Sequence, residues 1–273
     1  MDAQTPTAAA ADELLFSTDE GGIARIVLNR PQARNALTFA MYQGLIASCE
    51  AIAADPSVKV LVITGAGEKA FAAGTDIAQF RSFQTPEDAL GYERFMDKVL
   101  GTLERVRVPT VAAIAGACTG GGAAIAAACD LRIATQDARF GFPIARTLGN
   151  CLSLGNLKRL SNLVGPARVK DMIFTARLLG AEEALAIGLV GEVVEDLAAL
   201  TARVDALATL LAGHAPLTMQ ATKEGLRRLS EDPAVEGESH PGDDLILQCY
   251  MSEDFREGME AFLAKRPPRW QGR

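Results

Sequence analysis

The stretch that decides the fold is PTVAAIAGACTGGGAAIAAACDLRIAT, residues 109–135. Its first part, 110–115, is a continuous apolar run with the length of a buried β-strand, and 131–134 is a second such run. Between them, three consecutive glycines at 120–122 open a segment of small apolar residues, 121–129, that has the length of a short helix. Two buried strands joined by a helix predict a parallel sheet with right-handed crossovers.

A second glycine loop follows another buried strand. The run VKVLVIT at 58–64 precedes AFAAGTDI at 70–77. For each loop alone, the simplest interpretation is a tight turn where two backbones approach closely. A dinucleotide-binding turn is disfavoured, because the glycine spacing is not G-x-G-x-x-G and no acidic residue closes a second strand about twenty residues later. Two backbone N–H groups on adjacent loops, one at a helix N-terminus, can instead converge on one oxygen, which predicts an oxyanion hole.

The rest of the chain divides into an α/β part and a helical part. Residues 1–12 form a predicted disordered tail, 13–195 alternate strand-like and helical segments, and 196–273 carry helical spacing. This order predicts an α/β core followed by a helical C-terminal region. The predicted elements are strands at 23–28, 58–64, 110–115, 131–134 and 190–194, and helices at 38–54, 86–106, 121–129, 153–164, 166–176, 181–187, 196–213, 215–230 and 243–264.

Composition and charge exclude several classes of protein. Of the 273 residues, 49% are hydrophobic and 22% are charged, which is typical of a soluble globular chain. The net charge of −7 disfavours nucleic acid as a partner. Glycines interrupt the apolar window 110–134, which favours a buried strand–loop–helix unit over a membrane span. The acidic start does not resemble a signal peptide, and five cysteines without a CxxC pair predict a cytoplasmic protein with neither a disulfide framework nor a metal site.

Six segments, in order along nearly the whole chain, resemble the crotonase superfamily, the enoyl-CoA hydratase/isomerase group. They are LNRPQARNAL (28–37), VLVITGAGEKAFAAGTDI (60–77), PTVAAIAGACTGGGAAIAAACDLRIAT (109–135), ARFGFP (138–143), GLVGEVV (188–194) and FREGMEAFLAKRPPRW (255–270). The resemblance implies a spiral of ββα turns, followed by C-terminal helices that assemble a homotrimer or a dimer of trimers. It also implies an acyl-CoA thioester as substrate, with coenzyme A entering as part of that substrate and no further cofactor.

The resemblance assigns roles to residues of the two glycine loops. It places the thioester oxygen between the backbone N–H groups of Thr75 and Gly121, so that neither contribution depends on a side chain. Contacts to coenzyme A are implied for a larger set of residues, namely Gln32, Ala33, Arg34, Ala73, Asp76, Ile77, Phe262 and Lys265. For Arg34 and Lys265 the alternative is plain surface charge, and for Asp76 it is that the carboxylate orders its own loop.

Both glutamates that the hydratases of this family use are absent. The first lies two residues past the GGG motif, where this chain has Ala124, and the second follows the FGxP motif, where it has Ile144. Hydration requires removal of a proton at one atom and delivery of a proton at another, which a methyl group and a butyl group cannot do. The sequence therefore predicts weak hydration of straight-chain enoyl-CoA substrates but intact polarisation of the thioester.

The loop at 143–160 differs from the usual loop of the family and carries candidate replacements. Arg146 suits a carboxylate on the acyl group, Asn150 suits a substrate or a water, and Cys151 suits nucleophilic attack. The alternatives are a surface pair for Arg146, a turn for Asn150 and an inert pocket cysteine for Cys151. Further candidates in this loop and on the helix that borders the acyl pocket are Ser153, Asp88, Tyr92 and Glu93.

Three hypotheses for the function remain open at this point. The first is an acyl-CoA enzyme that stabilises a thioester enolate with atypical acid and base groups. The second is a non-catalytic acyl-CoA binder or assembly subunit, and the third is nucleophilic thioester chemistry at Cys151. A Ser–His–Asp hydrolase is disfavoured, because no serine precedes the apolar helix and neither His214 nor His240 is suitably placed.

Overall fold

The computed structural model describes residues 13–231 and 242–273. The predicted tail at 1–12 and His240 lie outside the described residues. Within them, the strands are β1 (Leu14–Thr18), β2 (Ile23–Leu28), β3 (Val60–Gly65), β4 (Ala70–Ala72), β5 (Thr110–Ile114), β6 (Ala117–Thr119), β7 (Leu131–Thr135), β8 (Arg139–Gly141), β9 (Leu179–Gly180) and β10 (Glu192–Val194). The α-helices are α1 (Phe39–Ala54), α2 (Pro86–Glu104), α3 (Gly121–Ala128), α4 (Ile144–Thr147), α5 (Leu154–Val164), α6 (Pro166–Phe174), α7 (Ala181–Ala186), α8 (Leu197–Ala212), α9 (Pro216–Glu231), α10 (Asp243–Tyr250) and α11 (Glu253–Leu263).

The strands form two sheets. The larger sheet has the order β1-β2-β3-β5-β7-β10, and only β1 runs antiparallel to its neighbour among these described strands. The smaller sheet has the order β4-β6-β8-β9, with β9 antiparallel to β8. The parallel pairs follow from the alternation of strands and helices, since parallel neighbours need a crossover connection. The predicted mixed α/β fold with a helical C-terminal region is confirmed.

Some elements differ from those that the sequence predicts. The predicted helix at 243–264 is wrong, because the chain forms two helices that are separated at Met251 and Ser252. The Ser252 hydroxyl accepts a hydrogen bond from the Phe255 N–H at 2.9 Å and so begins α11 as its N-cap. The strands β4, β6, β8 and β9 have two or three residues each, which is too short for a recognisable alternation of polar and apolar residues.

Helices cover both faces of the larger sheet. On one face the core contains α1, α3 and the buried side of α2. On the other face, Leu200, Val204 and Ala208 of α8 pack against apolar side chains of β2, β3, β5 and β7. A helix from the predicted C-terminal region therefore completes the core of the sheet. No helix in the described part of the chain has both the length and the apolar character needed to cross a bilayer.

The aspartate that ends the glycine-opened apolar segment has a structural role. Asp130 accepts hydrogen bonds from the Thr110 backbone N–H at 2.8 Å and from the Thr110 hydroxyl at 2.9 Å. The Lys223 ammonium group of α9 lies 2.8 Å from the same carboxylate oxygen. Asp130 thus ties the start of β5 to the helical region and is not available for chemistry at the glycine loop.

Candidate active site

The two glycine loops lie against each other, as the sequence predicts. Parallel pairing of β4 with β6 brings together the ends of both strands, and the loops begin there. Gly74 and Gly120 both adopt positive φ angles, 104° and 52°. A methyl group built on Gly120 would lie 3.4 Å from the Gly74 Cα, and one built on Gly74 would lie 4.0 Å from the Gly121 nitrogen. The two backbones are therefore in contact beside the first turn of α3.

The loop that carries Thr75 is fixed by backbone hydrogen bonds to the segment before α1. The Leu37 N–H donates to the Gly74 carbonyl and the Asp76 N–H donates to the Leu37 carbonyl, both at 2.8 Å. The Ala73 N–H donates to the Arg34 carbonyl at 3.0 Å. Within the described residues, neither the Thr75 N–H nor the Gly121 N–H has a protein acceptor. Each is thus available to a ligand.

Asp76 supports the same loop through its side chain. One carboxylate oxygen accepts from the Ala78 N–H at 3.1 Å, and the other lies 3.1 Å from the Arg30 guanidinium. The Ala78 N–H and then Arg30 lower the pKa of the Asp76 carboxyl, against a smaller opposing effect of burial. These contacts agree with the alternative that the Asp76 side chain orders its own loop.

A cavity of about 220 Å³ opens in front of the two loops. Ala124, in the second turn of α3, and Ile144, the first residue of α4, both line it. The two positions at which the resemblance implies glutamates therefore face one cavity, and both hold apolar side chains here. Its wall is otherwise formed by Ala73, Gly74, Thr75, Ile77, Phe80, Tyr92, Glu93, Met96, Thr119, Gly120, Gly121, Phe142, Pro143, Thr147, Leu148, Asn150, Cys151, Leu152 and Asn156.

Glu93 is the only carboxylic acid among the described residues of the cavity wall. Its side chain is half-buried on α2. Burial raises the pKa of the Glu93 carboxyl, the nearby Asp97 raises it further, and a hydrogen bond from the Ser153 N–H opposes the shift. Asp97 itself accepts a hydrogen bond from the Ser153 hydroxyl at 2.7 Å, which ties α2 to the start of α5.

Asp88, another candidate on α2, has a structural role. It forms a capping box with Thr85 at the N-terminus of the helix. The backbone N–H groups of Gln84 and Thr85 lower the pKa of the Asp88 carboxyl by donating hydrogen bonds to it. Asp88 does not belong to the described cavity wall, in contrast to Tyr92 and Glu93 one turn further along the helix.

Three hydroxyl groups form a row at the cavity. The Tyr42 hydroxyl lies 2.8 Å from Thr75 Oγ1, and the Tyr92 hydroxyl lies 2.9 Å from the same atom. Tyr42 is fully buried on α1, whereas Thr75 and Tyr92 are half-buried and line the cavity. Sequence reasoning did not identify Tyr42, since nothing distinguishes it from other apolar-face residues of an amphipathic helix. We refer to these three groups as the hydroxyl row.

The candidates in the loop after β8 are separated by the structure. Asn150 and Cys151 are exposed and line the cavity. Arg146 is also exposed, on α4, and is not among the described residues of the cavity wall. Ser153 begins α5 as its N-cap by accepting from the Asn156 N–H at 3.2 Å. His214 lies at a different cavity, near Arg107 and Trp270.

The residues expected to contact coenzyme A lie at two places. Gln32, Ala33 and Arg34 form a turn next to the Thr75 loop, with Gln32 and Arg34 exposed. Ala73 and Ile77 are exposed at the cavity wall. Phe262, in contrast, lies in the last turn of α11, and Lys265 lies just after that helix. Both are exposed, and neither belongs to the described cavity wall.

Comparison with known proteins agrees with this geometry. The family model described as enoyl-CoA hydratase/isomerase matches residues 18–273. The short-chain-enoyl-CoA hydratase of Clostridium acetobutylicum is 37% identical over 250 residues, which cover 90% of this chain and 93% of the relative. The carnitinyl-CoA dehydratase of Salmonella typhi is 36% identical over 269 residues, covering 96% and 99% of the two chains.

Solved structures show the same relationship. A crystal structure of an enoyl-CoA hydratase/carnithine racemase from Magnetospirillum magneticum superposes with a TM-score of 0.89 at 36% identity and covers 96% of each chain. Pseudomonas aeruginosa DspI superposes with a TM-score of 0.83 at 31% identity, covering 98% of this chain and 99% of the other. With its two touching glycine loops and the cavity before them, the chain belongs to the enoyl-CoA hydratase/isomerase family of acyl-CoA enzymes.

Proposed function

We propose that the protein binds an acyl-CoA thioester and stabilises its enolate between the backbone N–H groups of Thr75 and Gly121. The observation that carries this proposal is that both N–H groups lack a protein acceptor within the described residues and lie on loops in contact at the cavity. Gly121 is the first residue of α3, a helix buried on nearly every side. The positive end of the helix dipole therefore acts where little solvent screens it.

Glu93 is proposed as the group that moves the α-proton. The cavity wall lacks both carboxylates of a hydratase, at Ala124 and Ile144, and Glu93 is the acid that the described wall retains. One carboxyl group suffices to take a proton from Cα and return it to the enolate. Addition of water additionally requires activation of that water, for which the described wall offers no second carboxylate. The proposed activity is thus enolisation of the thioester, with hydration as a poor reaction.

Two assays of the wild-type protein test this proposal. Incubation of butyryl-CoA in D₂O is expected to replace α-hydrogens by deuterium, measured by mass spectrometry. Hydration of crotonyl-CoA is expected to run at least about 10²-fold slower than in a relative that has both glutamates. Near-normal hydration would contradict the importance of Ala124 and Ile144. Tight binding of butyryl-CoA without deuterium exchange would favour the non-catalytic binder instead.

Gly121→Ala is expected to lower the rate of this exchange by about 10²–10³-fold, the usual effect of losing one oxyanion-hole donor. A methyl group at Gly121 would overlap the buried Tyr42 hydroxyl and lie 3.2 Å from Thr75 Oγ1, so the first turn of α3 must shift. Deuterium exchange into butyryl-CoA measures the loss. Adding Tyr42→Phe, which removes the overlapping oxygen, is expected to restore part of the rate.

Gly91→Ala is the matched control for that variant. Gly91 is an exposed glycine of α2, and an added methyl group there would have no heavy atom within 4 Å. Its exchange rate should equal that of the wild type. A folded Gly121→Ala protein with the full exchange rate would remove Gly121 from the proposed oxyanion hole.

The C-terminal helices are proposed to assemble with other copies of the chain, as a homotrimer or a dimer of trimers. Support comes from large apolar side chains of α10 and α11 that are exposed in the single chain: Ile246, Leu247, Phe255, Met259, Phe262 and Leu263. In such an assembly, Phe262 and Lys265 are proposed to reach the coenzyme A of a neighbouring copy.

A further inference from the structure

A second cavity, of about 470 Å³, lies where the strands β3 and β5 begin. Lys59, just before β3, and Pro109, just before β5, both line it, and the two strands are parallel neighbours. The glycine loops, in contrast, come after both strands have ended. The walls of the two cavities share no described residue. This second cavity is therefore separate from the candidate active site, and its volume is in the usual range for a small-molecule site.

The wall of the second cavity carries positive charge. Lys59, Arg107 and His214 line it, and no aspartate or glutamate belongs to its described wall. The whole chain has a net charge of −7, so a wall of this size without a carboxylate is unlike the rest of the protein. Asp55, whose charge acts on Arg107, lies outside the described wall, and its carboxylate accepts from the N–H and the hydroxyl of Ser57 at 2.9 and 2.6 Å. The cavity thus favours an anion.

Arg107 is held in place with part of its guanidinium unused. Its Nη2 donates to three backbone carbonyls, those of Ile52, Asp55 and Val58. Within the described residues, its Nε and Nη1 have no protein acceptor, and neither Arg107 nor the Lys59 ammonium group forms an ion pair. A guanidinium already fixed by the protein loses little freedom when an anion binds to its remaining N–H groups.

The rest of the wall suits a flat apolar group. The indole ring of Trp270 is half-buried and lies against α11, where an added methyl group at Gly258 would be 2.9 Å from its six-membered ring. The wall also contains four rigid proline rings, those of Pro56, Pro109, Pro216 and Pro268. An aromatic ring packs well against such surfaces and removes a large apolar area from water.

The part of the wall that comes from the C-terminal residues is fixed to α11. The Asp254 carboxylate is buried and accepts hydrogen bonds from the N–H groups of Gln271 and Gly272 at 2.7 and 2.8 Å. The Asp254 N–H in turn donates to the Arg273 carbonyl at 3.1 Å. These bonds hold Trp270 at the cavity, and they use both oxygens of the one carboxylate that lies behind this wall.

We propose that the second cavity binds an aromatic carboxylate, with its ring against Trp270 and its carboxylate at Arg107 and Lys59. The carboxylate would accept from the unused N–H groups of Arg107, and the ring would cover the apolar part of the wall. An inorganic anion would leave that part exposed to water, and a neutral aromatic compound would leave both cations without a partner. Binding here is independent of the proposed enolisation, since the two cavity walls share no described residue.

The emission of Trp270 tests this site directly, because Trp270 is the single tryptophan of the chain and lies at the cavity wall. Titration with 3-phenylpropionate is expected to change the emission in a saturable way, with the same affinity by calorimetry. The neutral 3-phenylpropan-1-ol should bind at least about tenfold more weakly, the usual effect of losing a charge-assisted hydrogen bond. Octanoate, which has the carboxylate without the ring, should also bind more weakly. Excess butyryl-CoA should leave the affinity for 3-phenylpropionate unchanged.

Variants of the two cations separate the charge from the ring. Lys59→Met should weaken 3-phenylpropionate about tenfold and leave 3-phenylpropan-1-ol unaffected. Arg107→Lys keeps the charge but loses the guanidinium geometry, and it should weaken the carboxylate to a similar degree. Because Arg107 also holds three carbonyls, thermal unfolding must show that this variant is folded; Lys59 is exposed, so its variant does not depend on that result. Lys170→Met, at an exposed lysine of α6, is the matched control and should bind like the wild type.

Several results would overturn the proposed site. One is the absence of both an emission change and heat with 3-phenylpropionate. Equal affinity for 3-phenylpropan-1-ol, or full affinity in Lys59→Met and in folded Arg107→Lys, would remove the role of the cations. Equal affinity for octanoate would remove the role of the ring, and inorganic phosphate binding as tightly as 3-phenylpropionate would indicate a general anion site instead. None of these results would affect the proposed function, which deuterium exchange into butyryl-CoA tests separately.

Discussion

Glu93→Gln is expected to lower the rate of α-proton exchange of butyryl-CoA by about 10²–10⁴-fold, the range that general acid–base groups contribute. The amide keeps the size of the side chain and can still accept a hydrogen bond from the Ser153 N–H, but it cannot take a proton. Deuterium incorporation measures the exchange rate, and calorimetry with butyryl-CoA should show nearly unchanged binding. The expected effect is thus confined to the rate.

The pH dependence of exchange gives an independent check on Glu93. The group acts as a base when it is ionised, so the exchange rate should fall as the pH falls through the pKa of its carboxyl. Because burial and Asp97 raise that pKa, the fall should occur at a higher pH than for an ordinary glutamate. Tyr92 also contributes to the surroundings of Glu93, but it stays protonated over this range because burial raises its pKa.

Two control variants sharpen this prediction. Asp97→Asn removes the like charge and should move the profile to lower pH, while its amide oxygen can still accept from the Ser153 hydroxyl. Glu87→Gln changes an exposed carboxyl in the first turn of the same helix and should leave rate and profile unchanged. Undiminished exchange in Glu93→Gln would show that another group moves the proton.

The two glycine loops, and the positions of Ala124 and Ile144 relative to them, could be predicted from the sequence. Each glycine-rich loop was placed after one of the predicted buried strands at 58–64 and 110–115, and these strands pair in parallel as β3 and β5. The short strands β4 and β6, which the sequence did not predict, then bring Gly74 and Gly120 into contact. The apolar residues Ala124 and Ile144 could be located because each lies at a fixed distance from a recognisable motif. In each case the residue and its motif are close together along the chain, and such short-range patterns can be recognised in a single sequence.

The parts that depend on side-chain contacts across the fold were not predictable. Tyr42 and Tyr92 reach the Thr75 hydroxyl from two different helices, and no spacing in the chain indicates that each tyrosine hydroxyl lies within 3 Å of Thr75 Oγ1. From the sequence alone, Asp88 and Glu93 could not be distinguished as candidate functional residues of the same helix. They differ because Asp88 caps the helix by bonding to Thr85, whereas Glu93 lies half-buried at the cavity.

Restoring the two missing carboxylates is expected to create a hydratase. Ala124 and Ile144 line the same cavity as Thr75 and Gly121, so glutamates at both positions would face a thioester held in the proposed oxyanion hole. The double variant Ala124→Glu/Ile144→Glu should hydrate crotonyl-CoA about 10²–10⁴-fold faster than the wild type, because one carboxylate can activate water while the other delivers the proton. Absorbance of the conjugated thioester measures the reaction.

The matched control for this gain is Ala124→Gln/Ile144→Gln, which adds side chains of nearly the same size that cannot transfer protons. Its rate of crotonyl-CoA hydration should remain as slow as that of the wild type. Each single glutamate variant should hydrate crotonyl-CoA well below the rate of the double variant, because water activation and proton delivery each need a carboxyl group. Burying two carboxyl groups in an apolar wall costs stability, so thermal unfolding and butyryl-CoA binding must establish that the variants are folded. A folded double variant that binds butyryl-CoA and gains no hydration would show that these two positions do not decide which reaction the site performs.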